Sequence, residues 1–452
     1  MPSHQPVSGS SGAALQRVLG LAFGVAIGFG GVVGGGLLKS SGMVAGLAPE
    51  AWLIVTLWAA CGLHSFLGAN VVAELMAALP RDGGLFVIAR RAFGDFGGLV
   101  VGWADAAQNC AAIAAVSILF ATFGAALVPS LAPHGIAIAI GVQVLLLAIN
   151  LLGVREGSLI QQATALLKAV MLAAIIVALF SAAGTGKTVP HVTTAATLAG
   201  AITAYQLIYG VYSGWPYPGY FGDESTNAER DIPRAIFATV GAASVVYIAF
   251  NAGLVAAADV SALAHSEFPA VDVVGRIFGT TSMQLVMAVA MVMVVSSANA
   301  YILLGPRILY GLGRDRLFFR WSTHVNRGGT PDWAMVLTVA VSIALTLSGS
   351  FDTVFLLMGA MTLFTMVVTD VAYFVLRYRE PQLARPFRAK GHPILPLILV
   401  VIDGFLFAAI IWADPFGATA MVAMIAAALP ISGLIHLLRR REQATASRHQ
   451  EL

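Results

Sequence analysis

Charged side chains are scarce in this sequence. Aspartate, glutamate, lysine and arginine make up 10% of its 452 residues, whereas 58% are hydrophobic. A water-soluble protein of this length cannot enclose so much apolar surface, but a lipid bilayer requires it. The excess is spread along the whole chain, which predicts a polytopic membrane protein. The formal net charge of +3 gives no indication of a nucleic-acid partner, and we expect none.

Cysteines and catalytic motifs are also scarce. Cys61 and Cys110 both lie in apolar stretches, so we expect packed thiols rather than a disulfide framework. The sequence contains no spacing typical of metal ligands, no nucleotide-binding loop and no nucleophile motif. Several Gly-x-Gly matches lack the β-α-β context that would give them meaning. These absences predict no cofactor, no metal site and no enzyme activity.

Apolar runs of roughly 18 to 25 residues recur along the chain. They predict an all-α integral membrane protein with about twelve transmembrane helices in one domain over 15–438. A cytoplasmic N-terminal tail is expected at 1–14 and a basic cytoplasmic tail at 439–452. The runs lie at about 17–38 (continuing as a half-helix to 46), 51–79, 97–127, 135–152, 158–181, 198–222, 235–257, 283–310, 332–349, 353–377, 393–412 and 416–438.

The distribution of lysine and arginine predicts the orientation. With both termini in the cytoplasm, 21 of the 25 lysines and arginines lie in cytoplasmic segments. Lys187 and Arg276 then lie in outside loops, while Lys39 and Lys168 fall within apolar runs. We therefore expect a multi-pass protein of the cell membrane with cytoplasmic termini. A turn at 80–84 and a short amphipathic helix at 85–94 fit the cytoplasmic interface.

The first apolar run contains a cluster of glycines. Six residues within 28–36 are glycine, and each costs up to about 1 kcal/mol in a helix interior relative to alanine. This cost predicts a helix that is interrupted in mid-membrane, with its freed backbone groups turned toward something polar. Close helix packing through small residues is the alternative interpretation.

A second interruption is expected in the sixth run, at 212–219. Pro216 and Pro218 remove two backbone donors within one turn, which argues against plain close packing. Two broken helices at matching places in two halves of a chain indicate the binding site of a transporter. What each proline does individually is left open.

The two interruptions offer complementary partial charges. The first N–H groups of a half-helix lack intrahelical partners, so the glycines before a half-helix at 37–44 predict a carboxylate site. The carbonyls that end a half-helix at 199–211 are expected to be unpaired and to suit an ammonium group. Together they describe the head group of an α-amino acid. The predicted substrate-binding residues are Val33, Gly34, Gly35, Gly36, Tyr212, Ser213, Gly214 and Trp215.

Lys168 is the most informative ionisable residue. It lies near mid-bilayer, where a lysine costs roughly 2.5 to 3.5 kcal/mol, so we expect it to face the bundle interior with a partner. Lys39 directly follows the first interruption and is a weaker candidate, for an outer vestibule. His64 is interpreted as a packing histidine. Hydrogen bonding between helices is the expected role of Glu74, Asp105, Asn109 and Asp370.

The order of these features resembles the amino acid–polyamine–organocation (APC) superfamily of transporters. Each motif is weak alone, but together they occur in order and at the spacing of that family. The segments that carry the resemblance are 15–21, 30–37, 80–84, 91–94, 153–156 followed by Lys168, 212–215, Glu224, Asn227, 232–235 and 306–315.

The resemblance implies a five-plus-five inverted repeat. Repeat one would span about 15–181 and repeat two about 198–377, with the first and sixth helices discontinuous and two added helices at about 393–438. It implies alternating access around both breaks. It also implies that Lys168 stands where sodium-coupled relatives hold a sodium ion, and that Gly210 occupies the position of an aromatic gate in many members.

The leading hypothesis is a secondary active transporter that moves amino acids or related amines across the cytoplasmic membrane without sodium, by proton coupling or exchange. Its expected partners are a small-molecule substrate, the lipid bilayer and, for proton coupling, protons. The second hypothesis is a transporter-like membrane sensor or subunit that binds an amino acid without translocating it. The sequence leaves open the substrate identity, the coupling ion, any protein partner and the oligomeric state.

Overall fold

The computed structural model describes residues 15–184, 196–348, 351–413, 415–430 and 433, and these form helices without a β-strand. Both predicted tails and the end of the last predicted run lie outside this part. The α-helices are α1 (Leu21–Val32), α2 (Gly36–Leu47), α3 (Ala51–Ala78), α4 (Leu85–Leu127), α5 (Gly135–Leu152), α6 (Val154–Ser181), α7 (Leu198–Tyr212), α8 (Ala228–Ala257), α9 (Val260–Ala264), α10 (Pro269–Phe278), α11 (Thr280–Arg314), α12 (Asp332–Thr346), α13 (Phe351–Arg379), α14 (Ile394–Ala413) and α15 (Pro415–Ala426), with 3₁₀ turns at Pro129–His134, Tyr217–Phe221 and Arg320–Thr323.

In the described part of the chain, fewer helices are long enough to span a membrane than the twelve that the sequence predicts. Within the described ranges, eight helices are long and apolar enough to cross a bilayer, and the pair α1 and α2 makes a ninth span with a bend of 41°. A helix lies in every predicted run, but α7, α12 and α15 have 15, 15 and 12 residues. The expected interruption of the first span is present, because α1 ends at Val32 and α2 begins at Gly36.

A bend at Gly94 divides α4 into the two parts that the sequence predicts. The backbone there has φ +80° and ψ −171°, a conformation that glycine adopts without a side-chain clash. The amphipathic segment before Gly94 therefore leaves the axis of the third apolar run while remaining continuous with it.

Burial separates the central helices from those that face lipid. In the most apolar stretches, 72% of α11 and 61% of α4 are buried inside the protein, against 28% of α6 and 22% of α14. Helices that are apolar on every side and yet little buried present their outer faces to the bilayer. The centre of the bundle is therefore built on α4 and α11, and α1 of the first interrupted span packs against α11.

Ion pairs fasten one end of the bundle, which we call the arginine-rich end (residues 80–84, 223–230 and 307–316). Arg307 forms a bidentate pair with Glu224 at 2.7 and 3.0 Å, and both side chains are fully buried. Arg314 pairs with Asp223 at 2.6 Å. Burial raises the pKa of the Asp82 carboxyl well above its usual value, and Glu224 and Asp223 nearby raise it further.

Candidate functional site

Lys168 of α6 lies at the C-terminal end of α1. Its ammonium group donates hydrogen bonds to the carbonyls of Gly30, at 3.0 Å, and Val33, and contacts Ser297 Oγ at 3.4 Å. The side chain is fully buried. Carbonyls at a helix C-terminus carry partial negative charge, so they compensate for part of the hydration that the ammonium lost. The structure thus places Lys168 inside the bundle, with backbone carbonyls as its partners.

Two buried tyrosines complete the hydrogen bonds at this end of α1. Tyr301 donates its hydroxyl proton to the Gly31 carbonyl at 3.0 Å. The Tyr247 hydroxyl lies between the two interruptions, 2.7 Å from the Val32 carbonyl and 3.1 Å from the Val211 carbonyl. The sequence analysis missed both residues. The available signal was a phenol group in an otherwise apolar run, since a buried tyrosine hydroxyl usually has a hydrogen-bond partner.

The backbone N–H groups at the start of α2 differ from the hydrogen-bonded carbonyls at the end of α1. Among the described residues, no protein acceptor is hydrogen-bonded to the backbone N–H of Gly34, Gly35 or Gly36. Unpaired donors at the start of a helix, together with the helix dipole, favour an anion. The first interruption therefore has its carbonyl side occupied by protein donors and its N–H side open.

A cavity of about 30 Å³ lies against these N–H groups. This volume is close to that of one water molecule and is far smaller than an amino acid. An amino acid can therefore enter only if the surrounding helices separate. The lining residues include Gly31, Val32, Gly34, Gly35, Gly36, Gly210, Val211, Ser213, Ser297 and Tyr301.

The carbonyls at the end of α7 differ from the sequence-based expectation. The Gly210 carbonyl accepts hydrogen bonds from Ser213 Oγ at 2.7 Å and from the Ser213 N–H at 3.3 Å. The Val211 carbonyl faces the Tyr247 hydroxyl. The prediction that the carbonyls ending a half-helix at 199–211 are unpaired was therefore wrong for these two, because neighbouring hydroxyl groups reach them.

The unpaired carbonyls are those of the next two residues, Tyr212 and Ser213. Neither accepts a hydrogen bond from any described residue. Pro216 explains the first of them, because an N–H at that position would be the normal helical partner of the Tyr212 carbonyl four residues earlier. These two carbonyls are the acceptors that the second interruption leaves for an ammonium group.

The two interruptions touch each other through their backbones at Gly214. This residue has φ +108°, and a Cβ atom added to it would lie 2.9 Å from the Gly31 carbonyl carbon and 3.0 Å from the Val32 nitrogen. Neither backbone atom can move aside as the tip of a flexible side chain can. Glycine is therefore required at position 214 for both its conformation and the close approach.

The side chains of Tyr212 and Trp215, in the second interruption, do not line the first cavity. The Tyr212 hydroxyl donates to the Trp58 carbonyl at 3.1 Å, and the Trp215 indole lies against Gly68 of α3. A second cavity of about 20 Å³ adjoins them on the side of Asp105. Its lining includes Tyr212, Ser213, Gly214, Trp215, Asp105, Gln108, Tyr217 and Tyr220.

The predicted site residues are thus divided between two adjoining cavities. Gly34, Gly35, Gly36 and the gating position Gly210 line the first, and Tyr212, Gly214 and Trp215 line the second, with Ser213 in both. Val33 does not line either cavity. Its carbonyl accepts a hydrogen bond from Lys168. Lys39 lies farther along α2, with its ammonium 3.8 Å from Glu267.

Most of the chain is similar to known transporters. Residues 15–435 match the model of the amino acid permease family. The chain belongs to this family. The permease is also 23% identical over 428 residues to the serine/threonine exchanger SteT of Bacillus subtilis (strain 168), which covers 92% of this chain and 96% of the relative.

Two further relatives support the same family. The b(0,+)-type amino acid transporter 1 of Mus musculus is 25% identical over 411 residues, 89% of this permease and 84% of the relative. An uncharacterized transporter of Mycobacterium tuberculosis (strain ATCC 25618 / H37Rv) is 29% identical over 338 residues, 73% and 74% respectively. With its span-forming helices, the permease is a multi-pass membrane protein.

Proposed function

We propose that this permease moves amino acids or related amines across the cell membrane by alternating access, with both termini in the cytoplasm. The substrate carboxylate binds the N–H groups of Gly34, Gly35 and Gly36. The ammonium binds the carbonyls of Tyr212 and Ser213. The observation that carries this proposal is the polarity of the first interruption, where the carbonyl groups are bonded within the protein and the N–H groups are open.

Lys168 supports the proposal that transport is independent of sodium. Its ammonium already occupies the carbonyl oxygens of Gly30 and Val33 and contacts Ser297. Oxygen ligands of this kind suit a hard metal cation. A fixed ammonium takes the same ligands and would repel a second positive charge. Exchange of one substrate for another, or coupling to protons, is therefore the proposed mode.

Gly210 occupies the proposed gating position, where no side chain is present to cover a bound substrate. It lines the same cavity as the open N–H groups, and glycine has no side chain that could close this cavity. We propose that the substrate side chain enters this cavity. Closure of the pathway then depends on movement of α7 relative to α2 and not on one side chain.

Counterflow in proteoliposomes tests this function. Vesicles preloaded with a mixture of unlabelled amino acids should accumulate at least one labelled amino acid from a panel, at the same rate in sodium and in choline buffer. A protein that binds a labelled amino acid but shows no counterflow would support a sensor or subunit instead. Uptake that requires sodium would contradict the role given to Lys168 and leave the transport function standing.

A further inference from the structure

A second polar cluster lies inside the bundle, away from the two interruptions. It consists of His64 in the middle of α3, Asp370 on α13 and Asp403 on α14, each with an exposed fraction of 2 to 3%. His64 Nε2 lies 2.9 Å from Asp403 Oδ1. Asp370 and Asp403 are close enough for their carboxyl groups to interact electrostatically. The sequence analysis treated His64 as a packing residue and did not connect it with either carboxylate.

If both carboxyl groups were ionised, the cluster would have more hydrogen-bond acceptors than donors. Asp370 Oδ2 and Asp403 Oδ1 are buried, and neither has a hydrogen-bond partner among the residues that the structure describes. Within the described ranges, neither carboxylate forms an ion pair with a lysine or arginine. Two adjacent carboxylates in a medium of low dielectric constant repel each other strongly, and one proton between them removes that repulsion. The open oxygen of Asp370 therefore points to a missing proton.

The neighbouring groups do not supply another positive charge. From α7, the rings of Tyr205 and Tyr209 lie 6.1 and 5.3 Å from the His64 ring. From α3, the Cys61 thiol is close enough to Tyr205 and Asp403 to interact with them electrostatically. Among the titratable groups that face the cluster from these helices, His64 alone can become a cation. In the described part of the chain, no group of three ligands is arranged to hold a metal ion.

Tyr205 connects the cluster to the second broken helix. Its hydroxyl lies 2.9 Å from His64 Nδ1. Farther along α7, Gly210 and Val211 line the cavity beside the open N–H groups. A neutral imidazole with its proton on Nε2 accepts from Tyr205 at Nδ1, whereas an imidazolium presents an N–H group at both nitrogens. Protonation of His64 would therefore reverse the hydrogen bond that ties α7 to α3.

We propose that Asp370, Asp403 and His64 form a proton-binding site, separate from Lys168, that is linked to α7 through Tyr205. One proton is held between the two carboxyl groups while His64 is neutral. A further proton enters on His64 Nδ1, and Tyr205 then becomes the acceptor. The inference goes beyond the proposed transport function, which does not require this site.

Infrared spectroscopy of the purified protein in lipid tests the shared proton directly. The wild type at neutral pH should show the C=O stretching band of a protonated carboxyl group. In Asp370→Asn or Asp403→Asn, the band should lose the intensity of about one carboxyl group. Each variant keeps a single carboxyl group in the cluster, which has no second carboxylate to share a proton with and therefore ionises. The control Asp95→Asn, at an exposed carboxylate paired with Arg90 at 2.7 Å, should keep the band. A band unchanged in both cluster variants would overturn the proposal.

The pH profile of counterflow tests the link to α7. The wild type should show a titration step that is lost in His64→Gln and that shifts by at least one pH unit in Tyr205→Phe, which removes one hydroxyl. Wild-type profiles in both variants would overturn the link. If the protein exchanges no substrate at all, the transport function fails, and the infrared measurement still decides the proton site. If the aspartate variants do not fold, the wild-type spectrum still decides against the site when it shows no protonated-carboxyl band at neutral pH.

Discussion

Gly214 and Gly31 hold the two broken helices in backbone contact. A Cβ at position 214 would approach the Gly31 carbonyl carbon to 2.9 Å. The same interruption in α1 supplies carbonyls to Lys168 and Tyr301. Movement of α7 must therefore pass directly to the segment that carries the open N–H groups. The contact gives a physical route by which a substrate bound at one break can alter the other.

The first prediction is that Gly214→Ala reduces counterflow at least tenfold. The positive φ at this position costs a residue other than glycine about 1 to 2 kcal/mol, and the Cβ also meets backbone atoms that cannot rotate away. Labelled amino acid uptake by the purified variant is the measurement. Gly141→Ala in α5, where a Cβ meets nothing within 4 Å, should behave as the wild type. Equal activity of the two variants would refute the close-contact role.

The second prediction concerns Lys168→Met, which keeps most of the side-chain volume but removes the ammonium donors. The Val33 carbonyl loses its donor and Gly30 keeps only Ser297. One unsatisfied buried polar group costs about 1 to 3 kcal/mol, so both the melting temperature and counterflow should fall. Differential scanning fluorimetry and uptake give the two readouts. Full activity in Lys168→Met would remove the basis for its role at the break.

The third prediction is that Tyr247→Phe destabilises the permease by about 1 to 3 kcal/mol, because buried carbonyls at both interruptions lose their shared hydroxyl. Thermal unfolding in lipid or detergent measures this effect. Tyr378→Phe, whose side chain is 89% exposed, is the matched control and should leave the melting temperature unchanged. Equal melting temperatures for Tyr247→Phe and the control would contradict the assignment.

The fourth prediction concerns the arginine-rich end. Glu224→Gln leaves the fully buried Arg307 without its counter-ion, and breaking a buried pair from one side costs about 3 to 5 kcal/mol. Glu380→Gln, which breaks the more exposed pair with Arg91, should cost less than about 1 kcal/mol. Thermal unfolding of both variants provides the comparison. A larger loss in Glu380→Gln would show that burial does not set the strength of these pairs.

The sequence predicted the features that depend on local composition. The glycines at 28–36 and the prolines at 216 and 218 placed both interruptions, since backbone breaks follow from residues close together in the chain. The inward position of Lys168 followed from the cost of a charge in the bilayer. The sequence also predicted a short amphipathic helix before the third run, although not that it continues into that run across a bend at Gly94.

Contacts between distant segments could not be predicted in this way. Tyr247 and Tyr301 bind carbonyls of α1 from helices far along the chain, and nothing in their own neighbourhoods identifies those partners. Asp403 meets His64 for the same kind of reason. Helix ends were also misplaced: the apolar run over 332–349 extends beyond the end of α12 at Thr346, whereas α11 extends beyond both ends of the run over 283–310. These features depend on packing, which one sequence does not reveal.

Counterflow by Gly35→Leu is the most direct test of the central claim that the open N–H groups bind the substrate. A Cβ at Gly35 would already lie 2.5 Å from Val294 and 2.7 Å from Leu119, whereas one at the exposed Gly46 meets nothing closer than 3.9 Å. The account predicts that Gly35→Leu inserts into the membrane and loses uptake, while Gly46→Leu retains it. Wild-type uptake by Gly35→Leu would contradict the account.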